Sequence, residues 1–216
     1  MDEQYIQELT AFFSTYKKIS YKRHEVILRA DDTPSGVYFI ESGHVREYAL
    51  FPQGQELTLF LSNPGDVFPV RWTFTGSVNT KFFEAFTPTV VYRAPQEAFL
   101  TFLKQHPDLL FSFTAYTLTR WSFFLEKTEQ LVYGHATGKI AYILVMLAQR
   151  HGKEKNGIWE ISLPFTHKDL AAFLGSTRET VSVEMQKFVK KGVLTHEQQI
   201  VTIHDLGYLK KASQME

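Results

Sequence analysis

From Tyr21 to Arg93 the apolar positions come in short alternating or clustered runs, "GVYFIESG", "HVREYALFPQGQELTLFLSNPGD" and "KFFEAFTPTVVYRA", separated by Gly, Pro, Asn and Asp. β-Branched and aromatic residues between such breakers predict short strands. "FPQGQ" predicts a hairpin loop joining strands Val45–Leu50 and Glu56–Leu61, and the repetition of these units predicts a small β-barrel or jelly roll. From Pro107 to about Tyr133 the pattern changes, because no further Pro or Gly interrupts and apolar positions recur every three or four residues. Phe111, Thr114, Leu118, Trp121, Leu125, Thr128 and Val132 share one stripe of the predicted helix, and Phe113, Tyr116, Phe124 and Leu131 a neighbouring one. At about 1.5 Å per residue the helix is roughly 40 Å long, and two stripes require two partners. One stripe is expected on the β-barrel. The other, with Phe111, Leu118, Trp121, Leu125 and Val132, is expected on the same helix of a second subunit.

The C-terminal third predicts an amphipathic helix in "TGKIAYILVMLAQRHG", closed by His151 and Gly152, and a short strand in "GIWEISLP". Two compact helices follow in "FTHKDLAAFLGSTRETVSVEMQKFVKKG", then a hairpin in "GVLTHEQQIVTIHD" that turns at about His196 to Gln198. Helix, strand, helix, turn, helix and two-stranded wing make a winged helix-turn-helix. Thr166 is placed to cap the first of the two compact helices, with Asp169 as the acidic partner of a capping box. Gly175 can end that helix in the left-handed conformation, and Ser176 or Thr177 can cap the next.

On the second compact helix Val181, Met185 and Phe188 form the apolar stripe, at about 100° per residue. Arg178, Glu179 and Ser182, with Val183 at the margin, lie on the opposite side at the N-terminal end, which enters the major groove in a helix-turn-helix. Arg can bond guanine, Glu can accept from the amino group of cytosine, and Ser can serve a base or a phosphate. Thr166, Ser176, Thr177 and Lys187 complete the expected DNA-contacting set.

Composition narrows this further. Hydrophobic residues make 44% of the 216 and aromatics 15%, so the chain folds. Cys is absent, which excludes disulfides, thiolate nucleophiles and iron-sulfur clusters. Lys+Arg and Asp+Glu both total 23, so net charge selects no partner, although lysines between Lys168 and Lys211 suit phosphate contacts. No apolar run is long enough to span a bilayer, and a soluble cytoplasmic protein without a membrane partner is expected. No Ser-His-Asp order, phosphate loop or His-X-His pair is present, so no catalytic or metal-ligating residue is expected and the protein is expected not to be an enzyme. Two alternatives stay open: a jelly-roll metalloenzyme and an interaction module that uses the winged fold without binding DNA.

With these motifs the sequence resembles the Crp/Fnr family of bacterial transcription regulators. "VYFIESGHVREYAL" with "GQELTLFLSNPGD" is similar to the family's effector roll, Pro107 to Tyr133 to its dimerisation helix, and "GSTRETVS" to its recognition helix. The resemblance implies an α+β chain: a β-roll (jelly-roll, cyclic-nucleotide-binding-like) over residues 1–106, a dimerisation helix over 107–134 and a winged helix-turn-helix over 135–216. It implies a homodimer on palindromic double-stranded DNA, base reading by Arg178 and Glu179, and RNA polymerase as a partner if the protein activates. An arginine frequent after the Ser182 position is Val183 here, a contact suited to a thymine methyl.

Cyclic-nucleotide-binding members use a glutamate for the ribose and an Arg followed by Ser or Thr for the phosphate. Those positions are Pro69 or Val70 and Asn79-Thr80 in this chain, which argues against cAMP and cGMP. His24, His44, His106 and His135 could each supply haem with an axial nitrogen, but a lone histidine is more often an ordinary surface or hydrogen-bonded residue, so haem is disfavoured. Phe60, Phe68, Arg71, Trp72, Phe82, Phe83 and Trp121 are the expected lining for a small apolar or aromatic effector with an anionic group. A core filled by its own aromatics, without any ligand, is the equal alternative.

Overall fold

The computed structural model describes residues 3–213. By internal contacts the chain forms two units, one ending at residue 124 but lacking 52–58, the other combining 52–58 with 125 onward.

The first unit opens with helix α1 (Glu3–Phe13) and carries strands β1 (Lys17–Tyr21), β2 (Val26–Leu28), β3 (Val37–Ser42), β4 (Val45–Leu50), β5 (Glu56–Ser62), β6 (Val67–Phe68), β7 (Phe82–Ala85) and β8 (Thr89–Ala94). Helix α2 (Val70–Thr75) interrupts the strands, and α3 (Gln96–Gln105) and α4 (Pro107–Tyr133) follow them. The first three residues of β5 count with the second unit and the end of α4 does likewise. Two four-stranded sheets, ordered β1-β8-β3-β6 and β2-β7-β4-β5, make the roll.

Strand β3 explains why its sequence does not alternate. Tyr38 and Ile40 join Leu28, Val45, Phe68, Phe83 and Val91 inside the roll. Val37 and Phe39 face the other way, into a second cluster with Leu9, Phe13, Phe99, Leu103, Leu109 and Phe113 from α1, α3 and the start of α4. A strand buried on both faces is apolar throughout. Aromatic rings bind both layers: Phe68 stacks on Tyr38 at 5.1 Å and on Phe83 at 5.2 Å, and Phe13 stacks on Phe39 at 5.1 Å.

The second unit holds α5 (Ala136–His151), β9 (Gly152–Lys155), β10 (Ile158–Ile161), α6 (His167–Leu174), α7 (Arg178–Lys190), β11 (Leu194–Glu197), β12 (Ile200–Ile203) and α8 (Leu206–Ser213). Its sheet runs β11-β12-β10-β9. Ile140, Ile143, Leu144 and Leu147 of α5 are buried, together with Phe165, Leu170, Phe173, Val181, Met185, Phe188, Val201 and Leu209. The polar strand β9 pairs with β10 across Asn156 and Gly157, both at positive φ (52 and 79), as a tight two-residue hairpin requires. The wing turns later than its sequence pattern predicts. Gln198 and Gln199 hold the positive φ angles (49 and 69), and His196 pairs with Val201 within the ladder.

Gly43 joins β3 to β4 at φ +83, where an added Cβ would lie 2.3 Å from the Pro88 carbonyl oxygen. Backbone strain and the clash therefore act together. Gly43→Ala is expected to destabilise the protein by at least about 2 kcal/mol, read as a lower urea midpoint; an unchanged midpoint contradicts this account of the turn.

Candidate nucleic-acid interface

Helix α6 starts with the expected capping box. Thr166 Oγ1 accepts from the Asp169 amide at 3.1 Å, while the Thr166 amide donates to Asp169 Oδ2 at 2.8 Å and its hydroxyl to the same oxygen at 2.7 Å. The Thr166 side chain is thus engaged in holding the helix end. Gly175 closes α6 at φ 57 with its amide on the Ala171 carbonyl, and Thr177 caps α7 by accepting from the Thr180 amide at 3.2 Å. Ser176 is exposed in the turn between them.

Val181, Met185 and Phe188 are buried to 1% exposure or less, which fixes the rotation of α7 about its axis. Arg178 and Glu179 are then exposed, Val183 is 54% exposed, and Ser182 is partly covered beside them. Lys187 lies on another flank of α7, where its ammonium meets Glu184 at 2.6 Å. Glu184 also accepts from Thr137 of α5 at 2.7 Å. Burial pushes its carboxyl upward, but the bonds from Lys187 and Thr137 outweigh that and hold it below the usual range. The four helix-start residues Arg178, Glu179, Ser182 and Val183 therefore stand together, and Lys187 stands apart.

Residues 52–58 belong to this unit, and one contact there was not visible in the sequence. Lys127, 4% exposed, donates its ammonium to the Thr58 carbonyl and sits 5.3 Å from the centre of the Phe173 ring. Among the described residues no carboxylate accompanies these contacts, and burial pulls the amine down to about 7. At Gly175 an added Cβ would touch Leu57 at 3.6 Å, so the same segment adjoins the turn of the helix pair.

In the roll, the expected effector residues do not share one lining. Phe68 and Phe83 are core, and Trp72 packs with the cluster around α1 and α3. Phe82 stacks on Tyr48 at 5.2 Å, and Trp121 is 54% exposed with its ring 5.3 Å from Phe124. Arg71 donates to the Val78 carbonyl at 2.7 Å and to Thr80 at 3.3 Å, and Phe60 lies under the Arg120 guanidinium.

The roll also contains a charged centre that sequence reasoning missed. Glu47 pairs with Phe83 and shares the strand face of Val45, so it points inward. It is deep in the roll yet still reached by water. Burial pushes it up to about 7, against the opposing pull of Arg120, Lys81 and Arg71. Arg120 of α4 bonds Ser62 at 2.9 Å and faces Asp66 at 3.4 Å, and Tyr116 donates to Asp66 at 2.6 Å. A charged residue at an inward register, in "HVREYAL", is the signal that could have revealed Glu47.

The roll does not fit a cyclic nucleotide. Asn79 spends its side-chain amide on the Arg29 and Lys81 carbonyls at 2.8 and 2.9 Å, and Pro69 offers no carboxylate to a ribose. The Asn79 position thus supplies a cyclic phosphate with no cation, and the Pro69 position supplies the ribose with no acceptor.

A helix-turn-helix with an exposed Arg-Glu pair at the start of its second helix, a wing beside it and a β-roll before it defines a DNA-binding transcription regulator. Residues 18–106 match the cyclic nucleotide-binding domain and residues 138–212 the Crp-like helix-turn-helix domain. The chain belongs to the Crp/Fnr family of transcription regulators, whose members are not enzymes. It is 26% identical to the global nitrogen regulator of Synechocystis sp. over 86% of this chain and 84% of that protein. It is 23% identical to a CRP-like cAMP-activated global transcriptional regulator of Mycobacterium tuberculosis over 91% of this chain and 88% of that one. A Crp/Fnr-family regulator from Thermus thermophilus superposes with a TM-score of 0.75 at 25% identity, covering 93% of this chain and 100% of the other. A CooA mutant from Carboxydothermus hydrogenoformans shares the fold with a TM-score of 0.83 at 22% identity, covering 99% and 98%. Family membership sets aside the metalloenzyme alternative. Among the described residues no helix is long and apolar enough to cross a membrane.

Two measurements check this geometry. Thr166→Ala should cost about 1 kcal/mol of stability through loss of the cap, read by urea denaturation. Lys127 provides a pH test. Its amine is lowered from 10.5 to about 7 in the folded protein, so between those values the unfolded chain binds more protons. Wild-type stability should therefore rise with pH across that window, by at most about 1.4 kcal/mol per unit, relative to Lys127→Met. Parallel stability curves for the two proteins would contradict the buried-amine description.

Proposed function

We propose that the protein acts as a homodimer that binds a palindromic DNA site, each copy placing the start of α7 in a major groove. The observation that carries this reading is the pairing of exposed Arg178, Glu179 and Val183 with a fully buried Val181-Met185-Phe188 stripe on the same helix. Arg178 suits a guanine, Glu179 a cytosine amino group and Val183 a thymine methyl, while Ser182, Ser176 and Thr177 suit either a base edge or the backbone.

A second copy is the occupant that α4 calls for. Phe111, Leu118, Leu125 and Val132 are 78%, 60%, 49% and 63% exposed and stand seven residues apart, with Trp121 on the same stripe. A strict seven-residue apolar repeat matches the seam of a left-handed two-stranded coiled coil, in which each helix covers the other. A twofold interface would bring the same stripe from each copy together.

The roll takes a small effector other than a cyclic nucleotide. Arg120, Lys81 and Arg71 around Glu47 suit the anionic group of such a molecule, and Arg120 on α4 gives that ligand a route to the dimer helix. A cytoplasmic setting follows from the role.

Selection from random duplexes by the purified protein should enrich a palindrome with G·C pairs in each half. Arg178→Ala should relax selection at those pairs and weaken binding by about 1–3 kcal/mol, or roughly five- to 160-fold; Glu179→Ala should relax the neighbouring position. Enrichment unchanged by both substitutions would refute the assignment. Leu118→Glu with Leu125→Glu should yield a folded monomer in sedimentation, and a persistent dimer would refute the α4 interface.

A further inference from the structure

His167 is the first residue of α6 and reaches across to the wing. Its Nε2 lies 3.1 Å from His196 Nδ1, with the ring centres 5.0 Å apart. His196 Nε2 in turn lies 3.0 Å from the Phe165 carbonyl oxygen. A carbonyl only accepts, so His196 Nε2 carries a hydrogen. In the neutral pair His196 Nδ1 is therefore bare, and the hydrogen between the rings belongs to His167 Nε2. His167 Nδ1 is bare as well, and among the described residues nothing donates to it.

One added proton changes this in the same way wherever it resides. If it stays on His167, that ring keeps Nε2–H toward His196 and gains Nδ1–H. If it resides on His196, the His196 Nδ1–H donates to His167 Nε2 and His167 becomes the Nδ1–H tautomer. Both forms keep the inter-ring hydrogen bond and the bond to Phe165. Both turn His167 Nδ1 from an acceptor into a donor and leave one positive charge on the pair.

The surroundings disfavour a charge on His167. Burial is the largest influence lowering His167, followed by His196 and then by Arg178 of α7. On α6 the neighbours are Lys168 and Asp169, whose carboxylate is taken by Thr166. On β11 the next residue, Glu197, falls on the opposite strand face from His196. No local carboxylate is thus committed to the imidazolium, so an external anion can supply what is missing. The first helix of a docked helix-turn-helix crosses the DNA backbone, and its N-terminal dipole favours a phosphate there.

We propose that the His167–His196 pair is a proton-coupled DNA-backbone contact, in which the pair takes up one proton as the protein engages a duplex and the resulting His167 Nδ1–H donates to a phosphate oxygen. The proposal rests on the DNA-docking reading of α6 and α7. It makes operator affinity pH-dependent with a definite sign: the phosphate raises the pair's proton affinity in the complex, so binding tightens as pH falls. The tightening begins at the complexed pair's pKa and levels off below that of the free pair.

The test is binding of the full-length protein to its selected duplex, by fluorescence anisotropy at constant ionic strength from about pH 8 to 5.5, spanning the ordinary histidine range. Affinity should rise by up to about tenfold per pH unit within the window. His167→Gln and His196→Gln should each flatten that rise with the thermal midpoint retained. His204→Gln, which alters an exposed imidazole outside the pair, should leave it intact. Calorimetry in two buffers of different ionisation enthalpy should show proton uptake in wild type and none in His167→Gln. The same pH slope in wild type and in both pair variants, or binding without proton uptake, overturns the proposal while leaving DNA recognition standing. Absence of binding at every pH overturns the docking reading and the proposal with it.

Discussion

One helix must satisfy two demands at once. The inner side of α4 is fastened to the roll by buried Leu109 and Phe113, by Tyr116 on Asp66 and by Arg120 on Ser62 and Asp66. Its other side presents Phe111, Leu118, Trp121, Leu125 and Val132 to water in a single chain. An exposed apolar stripe of that size marks an interface, and its seven-residue spacing is the observation behind the proposed pairing with a second copy. The roll is thereby more than a scaffold. Arg120 joins its charged centre to α4, so under the proposed function a ligand that alters the balance around Glu47 would act on the same side chain that anchors the proposed pairing helix.

In the C-terminal unit the governing constraint is rotational. Val181, Met185 and Phe188 allow α7 one orientation, and the caps at Thr166 and Thr177 with the left-handed Gly175 fix where it starts. Arg178 and Glu179 need no side-chain partners of their own to be presented; the buried stripe presents them. Glu184 is held by Lys187 and Thr137. Lys127 is a buried amine satisfied by a carbonyl and a ring in place of an acid.

What could be read from the sequence was whatever short-range physics decides. Both ends of α4, the β4–β5 hairpin, the capping box and the apolar face of α7 all depend on residues within a turn or two of each other, and the structure reproduces them. The covering helices α1, α2, α3 and α8 carried weaker signals, and β9 has no apolar residue to announce it, although Asn156-Gly157 is a hairpin signature. The aromatic residues of the roll misled most. Phe82 and Phe83 are adjacent in sequence and therefore point to opposite faces of a strand, so composition could not assign them to one cavity. Glu47, Asp66 and Arg120 meet only because the roll and α4 fold together, and His167 and His196 only because the wing returns to α6. The inward register of Glu47 is legible locally, but which residues it meets is not.

The central claim is that α4 pairing delivers two copies of the Arg178-Glu179 cluster to one duplex. The most direct measurement is the mass of the complex on the selected duplex by sedimentation or native mass spectrometry, combined with groove-specific protection. Two chains per duplex, protecting two major-groove patches about one helical turn apart, is the result expected. One chain per duplex with a single protected patch would contradict it.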